Sequence, residues 1–318
     1  MTNLQDATVL VTGANDLVGL HLLTTLKRLG VNVIGIGDLH ADLGSLQYLD
    51  QQIRRFKPEY VFYVPSERHG IAVHRQHPGG VYYESVILFA HLLEAARETG
   101  VQKVVNVLSN CVYPANAPVP HQESEIWNGL PDKLLVPYGM GRRISIVHSA
   151  AYYEEYGLRT ISLILASAYG SNDNFDPHSS QVMASMIRRF VEAKQRGDNN
   201  VVCWGDGAPT REFIHIRDAV HAIIEAVMHY DANEPLNIGS EQEISIKDLA
   251  NRVAQCVGYE GHIDWDTTKP GGRSRVCLDS SRMRALLPPW ELVDLSEGVK
   301  ETAEWFSKTN NETINPRF

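Results

Sequence analysis

Cysteine is scarce in this 318-residue sequence, and the cysteines that are present follow no pairing pattern. None lies in a C-x-x-C motif, so neither a disulfide framework nor a thiolate metal site is predicted. The four are Cys111, Cys203, Cys256 and Cys277. The sequence also lacks an apolar run of about 18 residues and a basic leader followed by an apolar segment. We therefore expect a cytoplasmic protein with reduced thiols and no membrane span.

Positive charge is also in deficit. Lysine and arginine total 29 against 38 acidic residues, which gives a formal net charge of −9. This balance argues against nucleic acid or an anionic membrane as the main partner, so local arginine clusters must hold any anionic ligand. Three nearby histidines, His69, His74 and His77, do not have the spacing of a known metal site. No metal is predicted.

Short apolar strands alternate with helical segments through the first half of the chain. A strand at 7–12 is followed by a glycine turn and a helix at 17–29, and the alternation continues through a strand at 103–108 to a strand at 160–165. This pattern predicts an α/β fold, a Rossmann-type parallel sheet with helices wound on both faces. From Tyr169 onward the rhythm changes. Short strands are expected at 201–204 and 236–238, and the chain completes with a smaller, mostly helical end.

The first turn reads G-x-x-D-x-x-G, with Asp16 where a dinucleotide-binding turn has its middle glycine. Asp38 follows the second strand, where an acid bonds a ribose 2′-hydroxyl and disfavours a 2′-phosphate. The predicted cofactor contacts are Gly13, Asn15, Asp16, Leu17, Val18, Gly19, Asp38, Asp42 and Leu43. The alternative is a tight strand–helix turn that holds no ligand. A carboxylate at Asp16 adds bulk and repels phosphates.

A second motif places Tyr138 four residues before Arg142, so both lie on one face of a predicted helix. A nearby cation favours the phenolate, which suits a proton transfer to or from a sugar oxygen. Ser109 ends an apolar strand, and short-chain dehydrogenases combine such a serine with Y-x-x-x-K. Arg142 stands in place of that lysine.

Four segments carry a closer resemblance: 109–114, 169–175, 187–190 and 204–215. Through them the chain resembles the GDP-L-fucose synthase family, the GDP-4-keto-6-deoxymannose epimerase/reductases. In that family a cysteine and a histidine invert C3 and C5, and a Ser–Tyr–Lys set with NADPH reduces the C4 ketone. The resemblance implies an extended short-chain dehydrogenase fold, with a dinucleotide domain at 1–168 plus 214–240. A sugar-nucleotide domain would comprise 169–213 plus 241–318.

The resemblance also assigns catalytic residues one position at a time. Ser109 and Tyr138 would polarise the C4 oxygen, with Arg142 as the charge beside them, and Cys111 would be the epimerisation base. Gln181 falls where the family has its acid histidine, and a glutamine cannot deliver a proton at neutral pH. Reduction alone or a single inversion is therefore easier to support than double epimerisation.

The ligand positions are altered to different degrees. Asp38 and Ile36 occupy positions of arginines that would read NADP, so NAD(H) is expected in preference to NADP(H). The stretch 64–66 is Val-Pro-Ser where small alanines are usual. Four residues match family positions around the guanine and diphosphate of a GDP-sugar: Arg188, Trp204, Arg211 and Arg275. Val276 stands where a further family lysine would be.

Each candidate residue also has a purely structural interpretation. Ser109 could cap the next turn, and Cys111 could be a buried apolar side chain. Arg188 could lie on a solvated helix face, and Arg211 could pair with the neighbouring Glu212. His215, ahead of a helix, is interpreted as structural.

Two further functions remain open beside the GDP-sugar epimerase/reductase. One is a degenerate homologue that binds a sugar nucleotide without hydride transfer and acts as a regulatory or partner subunit. The other is a C4 epimerase that retains its NAD. Relatives pair through two long helices, so segments 81–99 and 144–156 predict a homodimer.

Overall fold

A computed structural model describes residues 4–37, 39, 43–65, 71–269 and 272–314. Two predicted cofactor contacts, Asp38 and Asp42, lie outside the described residues, as do Ser66 and His69.

The strands of the described residues are short, mostly of three to seven residues. In chain order they are β1 (Thr8–Val11), β2 (Asn32–Gly35), β3 (Tyr60–Tyr63), β4 (Lys103–Ser109), β5 (Arg159–Leu165), β6 (Ser167–Tyr169), β7 (Asn200–Trp204), β8 (Thr210–His215), β9 (Leu236–Ile238), β10 (Glu243–Ser245), β11 (His262–Asp266) and β12 (Arg275–Val276).

The α-helices are longer, and most of them follow a strand. They are α1 (Leu17–Arg28), α2 (Leu43–Phe56), α3 (Ile71–Gln76), α4 (Pro78–Thr99), α5 (Val136–Tyr156), α6 (Val182–Arg196), α7 (Ile216–His229), α8 (Ile246–Val257), α9 (Ser281–Leu286) and α10 (Leu295–Ile314). Two short 3₁₀ helices are Asn110–Val112 and Glu123–Trp127.

The main sheet has six parallel strands in the order β2-β1-β3-β4-β5-β9. Apolar side chains cover both of its faces: Val9 and Val11 of β1 belong to one core cluster, and Leu10 between them to another. Successive strand residues point to opposite faces, so a sheet buried on both sides needs nearly continuous apolar strands. The predicted doubly wound α/β fold is confirmed.

The later part of the chain corrects the expectation of a mostly helical end. It contains a second sheet in the order β10-β8-β12, with β6 also paired to β8, and a two-stranded sheet of β11 and β7. These strands are short and partly exposed, with charged residues such as Arg211, Glu212 and Glu243. Strand β7 is predicted at 201–204 and β9 at 236–238, and both are present. In the other strands of the second part the apolar alternation is interrupted, and the sequence pattern predicts no strand there.

The chain returns to the main sheet after the first strands of this second part. Strand β9 pairs with β5, and α7 packs beside α1. A separate core of the second part includes Ile187, Phe190 and Leu249. Across the described ranges, none of the helices combines the length and the hydropathy required to cross a bilayer.

Candidate active site

The glycine turn lies where β1 ends and α1 begins. Gly13 has φ +61°, and a Cβ there would lie 2.5 Å from the carbonyl oxygen of Val64 at the end of β3. A Cβ on Gly19 would lie 2.1 Å from the carbonyl oxygen of Gly13. Both positions therefore require glycine, and the turn keeps the close backbone packing of a dinucleotide-binding turn.

Asp16, by contrast, has a backbone conformation that any residue can adopt. Its φ of −97° and ψ of 164° are extended, and it directly precedes α1 without a side-chain cap hydrogen bond. The positive end of a helix dipole favours an anion, and at α1 the Asp16 carboxylate already lies at that end. A phosphate bound there would be repelled by the carboxylate.

The other predicted contacts in the turn divide between surface and core. Asn15 is exposed, and a Cβ on Gly37 would lie 2.6 Å from its Nδ2, so its side chain lies at the end of β2. Leu17 and Val18 are partly buried against the core, so their contribution to a ligand would come from the backbone. Leu43 begins α2.

A small cavity opens beside the turn, between the carboxyl ends of β1 and β3 and the helices α4 and α5. Ligands of open parallel sheets bind at this edge. The lining combines apolar and polar side chains. It consists of Thr12, Gly13, Leu39, Tyr63, Val64, Pro65, Val81, Glu84, Ser85, Leu88, Tyr138 and Arg142.

Tyr138 and Arg142 meet in this cavity, as their spacing predicts. Tyr138 is the third residue of α5 and is 7% exposed, and the guanidinium carbon of Arg142 lies 5.1 Å from the centroid of its ring. A cation over a ring face is attracted by the π-electrons, and it also favours negative charge on the phenol oxygen. The ring centroid of His74 from α3 lies 5.2 Å from that of Tyr138.

Ser109 and Cys111 are held against the start of α5. The Ser109 hydroxyl accepts from the Cys111 amide at 3.4 Å and so caps the 3₁₀ helix, as its structural interpretation predicts. A Cβ on Gly139 would lie 2.6 Å from the carbonyl oxygen of Cys111. Arg143 donates from Nε to the Val112 carbonyl oxygen at 2.6 Å. The segment with Ser109 and Cys111 therefore packs directly on the helix that carries Tyr138.

Arg143 is one of several site residues that sequence reasoning missed. It is 3% exposed, and burial lowers the pKa of its guanidinium. Tyr63 and His74 were also not singled out for the site. Two adjacent arginines on a helix point about 100° apart, and nothing local indicates which one faces the loop and which one faces the cavity.

A network beyond Cys111 ties the following loop to the main sheet. The Tyr113 hydroxyl donates to Asn237 Oδ1 at 2.6 Å, and the Asn237 amide donates to Glu123 at 3.0 Å. His121 stacks on Tyr113 with ring centroids 4.8 Å apart. Burial raises the pKa of Tyr113, so its phenol stays neutral and serves as a donor.

Gln181 is exposed and immediately precedes α6. It is not among the side chains that line the cavity beside the glycine turn. Its predicted place near the substrate carbons stays a prediction.

Two of the predicted substrate residues lie on or beside α6. Arg188 is largely buried and donates to Glu192 at 3.4 Å, so it is not the solvated residue of its alternative interpretation. Trp204 ends β7 and is 60% exposed, with the guanidinium carbon of Arg189 5.5 Å from its ring. An exposed indole with a cation packed against its ring offers a flat surface on which a nucleotide base can stack.

The other two arginines lie on neighbouring strands but on opposite faces. Arg211 of β8 is opposite Val276, whereas Arg275 is opposite Thr210. Arg211 donates to the Thr210 carbonyl oxygen and forms no ion pair with Glu212 in the described structure. Burial, with a smaller effect of nearby Arg273, lowers the pKa of Arg211. Arg275 is bound by Glu243, and this bond lowers the pKa of that carboxyl.

His215 has a structural role, as its sequence position predicts. Its Nδ1 accepts from the Arg217 amide at 3.4 Å and caps α7. The ring is 2% exposed, and burial lowers its pKa to about 4. The imidazole is therefore neutral at physiological pH.

Comparisons with known proteins agree with this geometry. A family model described as the NAD dependent epimerase/dehydratase family matches residues 9–239. GDP-L-fucose synthase 1 from Arabidopsis thaliana is 33% identical, over 96% of this chain and 94% of its own. The crystal structure of a GDP-L-fucose synthetase from Naegleria fowleri has a TM-score of 0.89 at 23% identity, covering 98% and 96% of the two chains. A GDP-mannoheptose C4 reductase from Campylobacter jejuni with NADP bound has a TM-score of 0.84 at 25% identity, covering 96% and 99%.

The chain belongs to the NAD dependent epimerase/dehydratase family. Within it, the identity over nearly the whole length groups it with the GDP-L-fucose synthases, which confirms the resemblance in the sequence. The protein is therefore an enzyme with a nicotinamide cofactor. The glycine turn fits the close approach of such a cofactor, because the two positions at which a Cβ would meet the backbone, Gly13 and Gly19, are both glycines.

Proposed function

We propose that this protein acts on a GDP-linked 4-keto-6-deoxy sugar, by reduction at C4 or by a single epimerisation at a carbon next to the ketone. The observation that carries the proposal is the placement of Tyr138, with Arg142 over its ring, in a cavity beside the glycine turn. The names of the relatives from Arabidopsis and Campylobacter support a GDP-sugar as substrate.

Each catalytic residue then has a defined task. Tyr138 donates a proton to, or removes one from, the oxygen at C4, and Ser109 polarises the same oxygen. Arg142 favours the phenolate that Tyr138 becomes after donating its proton. Cys111 removes a proton from a carbon next to the ketone. Gln181 offers only a hydrogen bond, so reprotonation at a second carbon is inefficient.

The proposed cofactor is NAD(H) in preference to NADP(H). The basis is Asp38, since an acid after the second strand bonds a ribose 2′-hydroxyl and repels a 2′-phosphate. Gly13 and Gly19 would let the backbone approach the pyrophosphate, with Asn15 at the surface beside them. When bound, the reduced cofactor supplies the hydride for C4.

The proposed sugar-nucleotide site belongs to the second part of the chain. Trp204 would stack on guanine, and Arg211, half-buried without a carboxylate partner in the described structure, would bind the diphosphate. Arg188 and Arg275 would lie at its edges. We divide the chain accordingly into a dinucleotide domain, 1–168 plus 214–240, and a substrate domain, 169–213 plus 241–318.

We also propose a homodimer formed by α4 and α5. These helices pack on each other and expose large side chains, including Tyr83, Val147 and Tyr153. Exposed apolar side chains on two neighbouring helices are a common feature of subunit interfaces. A monomeric mass in sedimentation at micromolar concentration would contradict this assembly.

Calorimetric titration of the purified protein with NADH, NADPH and GDP, each separately, tests the ligand set. The account predicts binding of GDP and NADH, with weaker binding of NADPH. A denatured sample must first be checked for cofactor that co-purifies, because a filled site would not titrate; retained NAD would favour a C4 epimerase.

Asp16 favours a second candidate function. If GDP binds while an empty protein binds no dinucleotide, the carboxylate at the start of α1 has closed the cofactor site. The protein would then be a sugar-nucleotide-binding partner without hydride transfer.

A further inference from the structure

Tyr63, at the carboxyl end of β3, contacts the residue that replaces the usual lysine. The Arg142 side chain donates from Nη1 to the Tyr63 hydroxyl at 3.2 Å. The guanidinium carbon also lies 5.9 Å from the Tyr63 ring and 5.1 Å from the Tyr138 ring. The guanidinium is therefore placed between two tyrosines from different elements of the fold.

The Tyr63 ring is fixed by its surroundings. It is 2% exposed, and its ring lies 5.2 Å from that of Phe89 on α4, at an interplanar angle of 56°. The strand below it is paired on both sides, with β1 and with β4. A hydroxyl on a ring held in this way has a nearly fixed position, so its hydrogen bond determines the direction of the longer and more flexible arginine.

We propose that Tyr63 is a positioning residue whose hydroxyl holds the Arg142 guanidinium over the ring of Tyr138. The proposal rests on the proposed function, in which Tyr138 exchanges a proton with the sugar oxygen. Tyr63 is then the hydrogen-bond partner that allows Arg142 to act as the cation beside Tyr138, where relatives in the superfamily use a lysine.

The chemistry of the two cations explains why they need different partners. A lysine ammonium is a compact charge with three rotating donors, whereas the guanidinium is a planar fork that must be oriented. Arg142 is 5% exposed, so a donor that loses its acceptor is not readily rehydrated. Without the Tyr63 hydroxyl the fork can rotate away from the Tyr138 ring. A lysine in place of Arg142 has no fork to orient and gains little from Tyr63.

Besides Arg142 and Tyr63, two titratable groups of the described residues lie around Tyr138. The ring of His74 on α3 contacts the Tyr138 ring, and Glu84 on α4 lines the same cavity. Tyr63→Phe removes a single hydroxyl and leaves these other groups in place. A change in the Tyr138 titration of this variant therefore reports a change in the orientation of Arg142. The variant keeps the ring and its packing on Phe89.

A double-mutant cycle of Tyr63→Phe and Arg142→Lys tests the proposal. The Tyr138 phenol is titrated by carbon NMR in protein with labelled tyrosine, and its signal is assigned with Tyr138→Phe. We expect Tyr63→Phe to raise the midpoint of this titration by about one unit when Arg142 is present, and by much less in the Arg142→Lys background. The pH profile of turnover of a GDP-4-keto sugar should shift in the same direction.

Tyr60→Phe is the matched control, because Tyr60 is a buried tyrosine on the same strand whose hydroxyl bonds Gln102. An unchanged Tyr138 titration in Tyr63→Phe, an equal shift in both backgrounds, or the same shift in Tyr60→Phe would each overturn the proposal. The NMR titration needs no turnover. A coupled shift without any conversion of the GDP-sugar would contradict the proposed function and leave the role of Tyr63 supported.

Discussion

Tyr138 is contacted by side chains from elements that are far apart in sequence. Arg142 lies one helical turn further along α5, and His74 comes from α3. Only the first contact could be predicted, because residues four apart on a helix are neighbours whatever the rest of the fold does. Tyr63 and His74 reach the site through strand order and helix packing, for which the sequence has no local signal.

Replacing Tyr138 by phenylalanine removes the proton donor and keeps the ring under Arg142. We expect turnover of a GDP-4-keto sugar to fall by about 10²–10⁴-fold, the usual contribution of a positioned acid or base. Binding of GDP, measured by calorimetry, should not change, since no described contact joins the phenol to Trp204 or Arg211. Retention of full turnover would remove Tyr138 from the mechanism.

Asp16 offers a gain-of-function test. Asp16→Gly should strengthen dinucleotide binding by about tenfold, because it removes a charge that repels the pyrophosphate. Asp16→Asn separates charge from bulk: it should recover most of the gain if repulsion dominates, and little if bulk dominates. Equal affinities for NADH in all three proteins would show that Asp16 does not limit cofactor binding.

His215 makes stability dependent on pH. Burial lowers its pKa to about 4, below the value of about 6.5 that it has when unfolded. The unfolded chain therefore binds more protons in this range, and the stability contributed above pH 6.5 is lost as the pH falls toward 4. Between pH 7 and pH 5 the loss from this group should be about 2 kcal/mol.

The free energy of unfolding in denaturant, measured at both pH values, checks this expectation. His215→Asn keeps a capping acceptor for α7 but does not titrate, so the loss in this variant should be smaller by that amount. Burial also lowers the pKa values of His121 and His148. Their contributions to the loss of stability are the same in both proteins, so they cancel in the difference. An identical loss in the two proteins would contradict the assignment.

At the scale of elements, the site depends on how α5 packs against the segment after β4. Gly139 is the close contact, with no room for a Cβ beside the Cys111 carbonyl. This packing brings Ser109 and Cys111 to the helix that carries Tyr138, although about thirty residues separate them in the chain.

Gly139→Ala should move the two elements apart and lower turnover by about 100-fold, the effect expected of a shift near 1 Å between catalytic groups. GDP binding should persist, because Trp204 and Arg211 lie on other elements, β7 and β8. Gly80→Ala is the control: a Cβ on this α4 glycine meets nothing within 4 Å. Parallel losses in both variants would indicate a general effect on folding.

Elements with strong apolar patterns could be predicted, and those without them could not. Strand β4, Lys103–Ser109, is buried along nearly its whole length and was expected almost to the residue. Strands β8 and β10 carry Arg211, Glu212 and Glu243, and the sequence pattern predicts no strand at either place. Glu212 is nonetheless buried there, since it accepts from the backbone amides of Leu278 and Glu241. Such long-range bonds leave no pattern in sequence.

At the scale of the molecule, two parts of the chain meet around one edge of the main sheet. The cavity beside Gly13 and Tyr138 lies at the carboxyl ends of the parallel strands, and Trp204 and Arg211 belong to the second part. The bond from Tyr113 to Asn237 of β9 ties the loop after Cys111 to the far side of that sheet.

The most direct test of the account is the reaction of GDP-4-keto-6-deoxymannose with NADH in heavy water, with the product identified by NMR. We predict reduction at C4, with deuterium incorporated at no more than one of C3 and C5. Tyr138 and Ser109 would carry the reduction, and the exchange would be limited because Cys111 acts without an acid at Gln181. Recovery of unchanged substrate from protein shown to bind both ligands would contradict the account, and so would a product with both carbons inverted and deuterated.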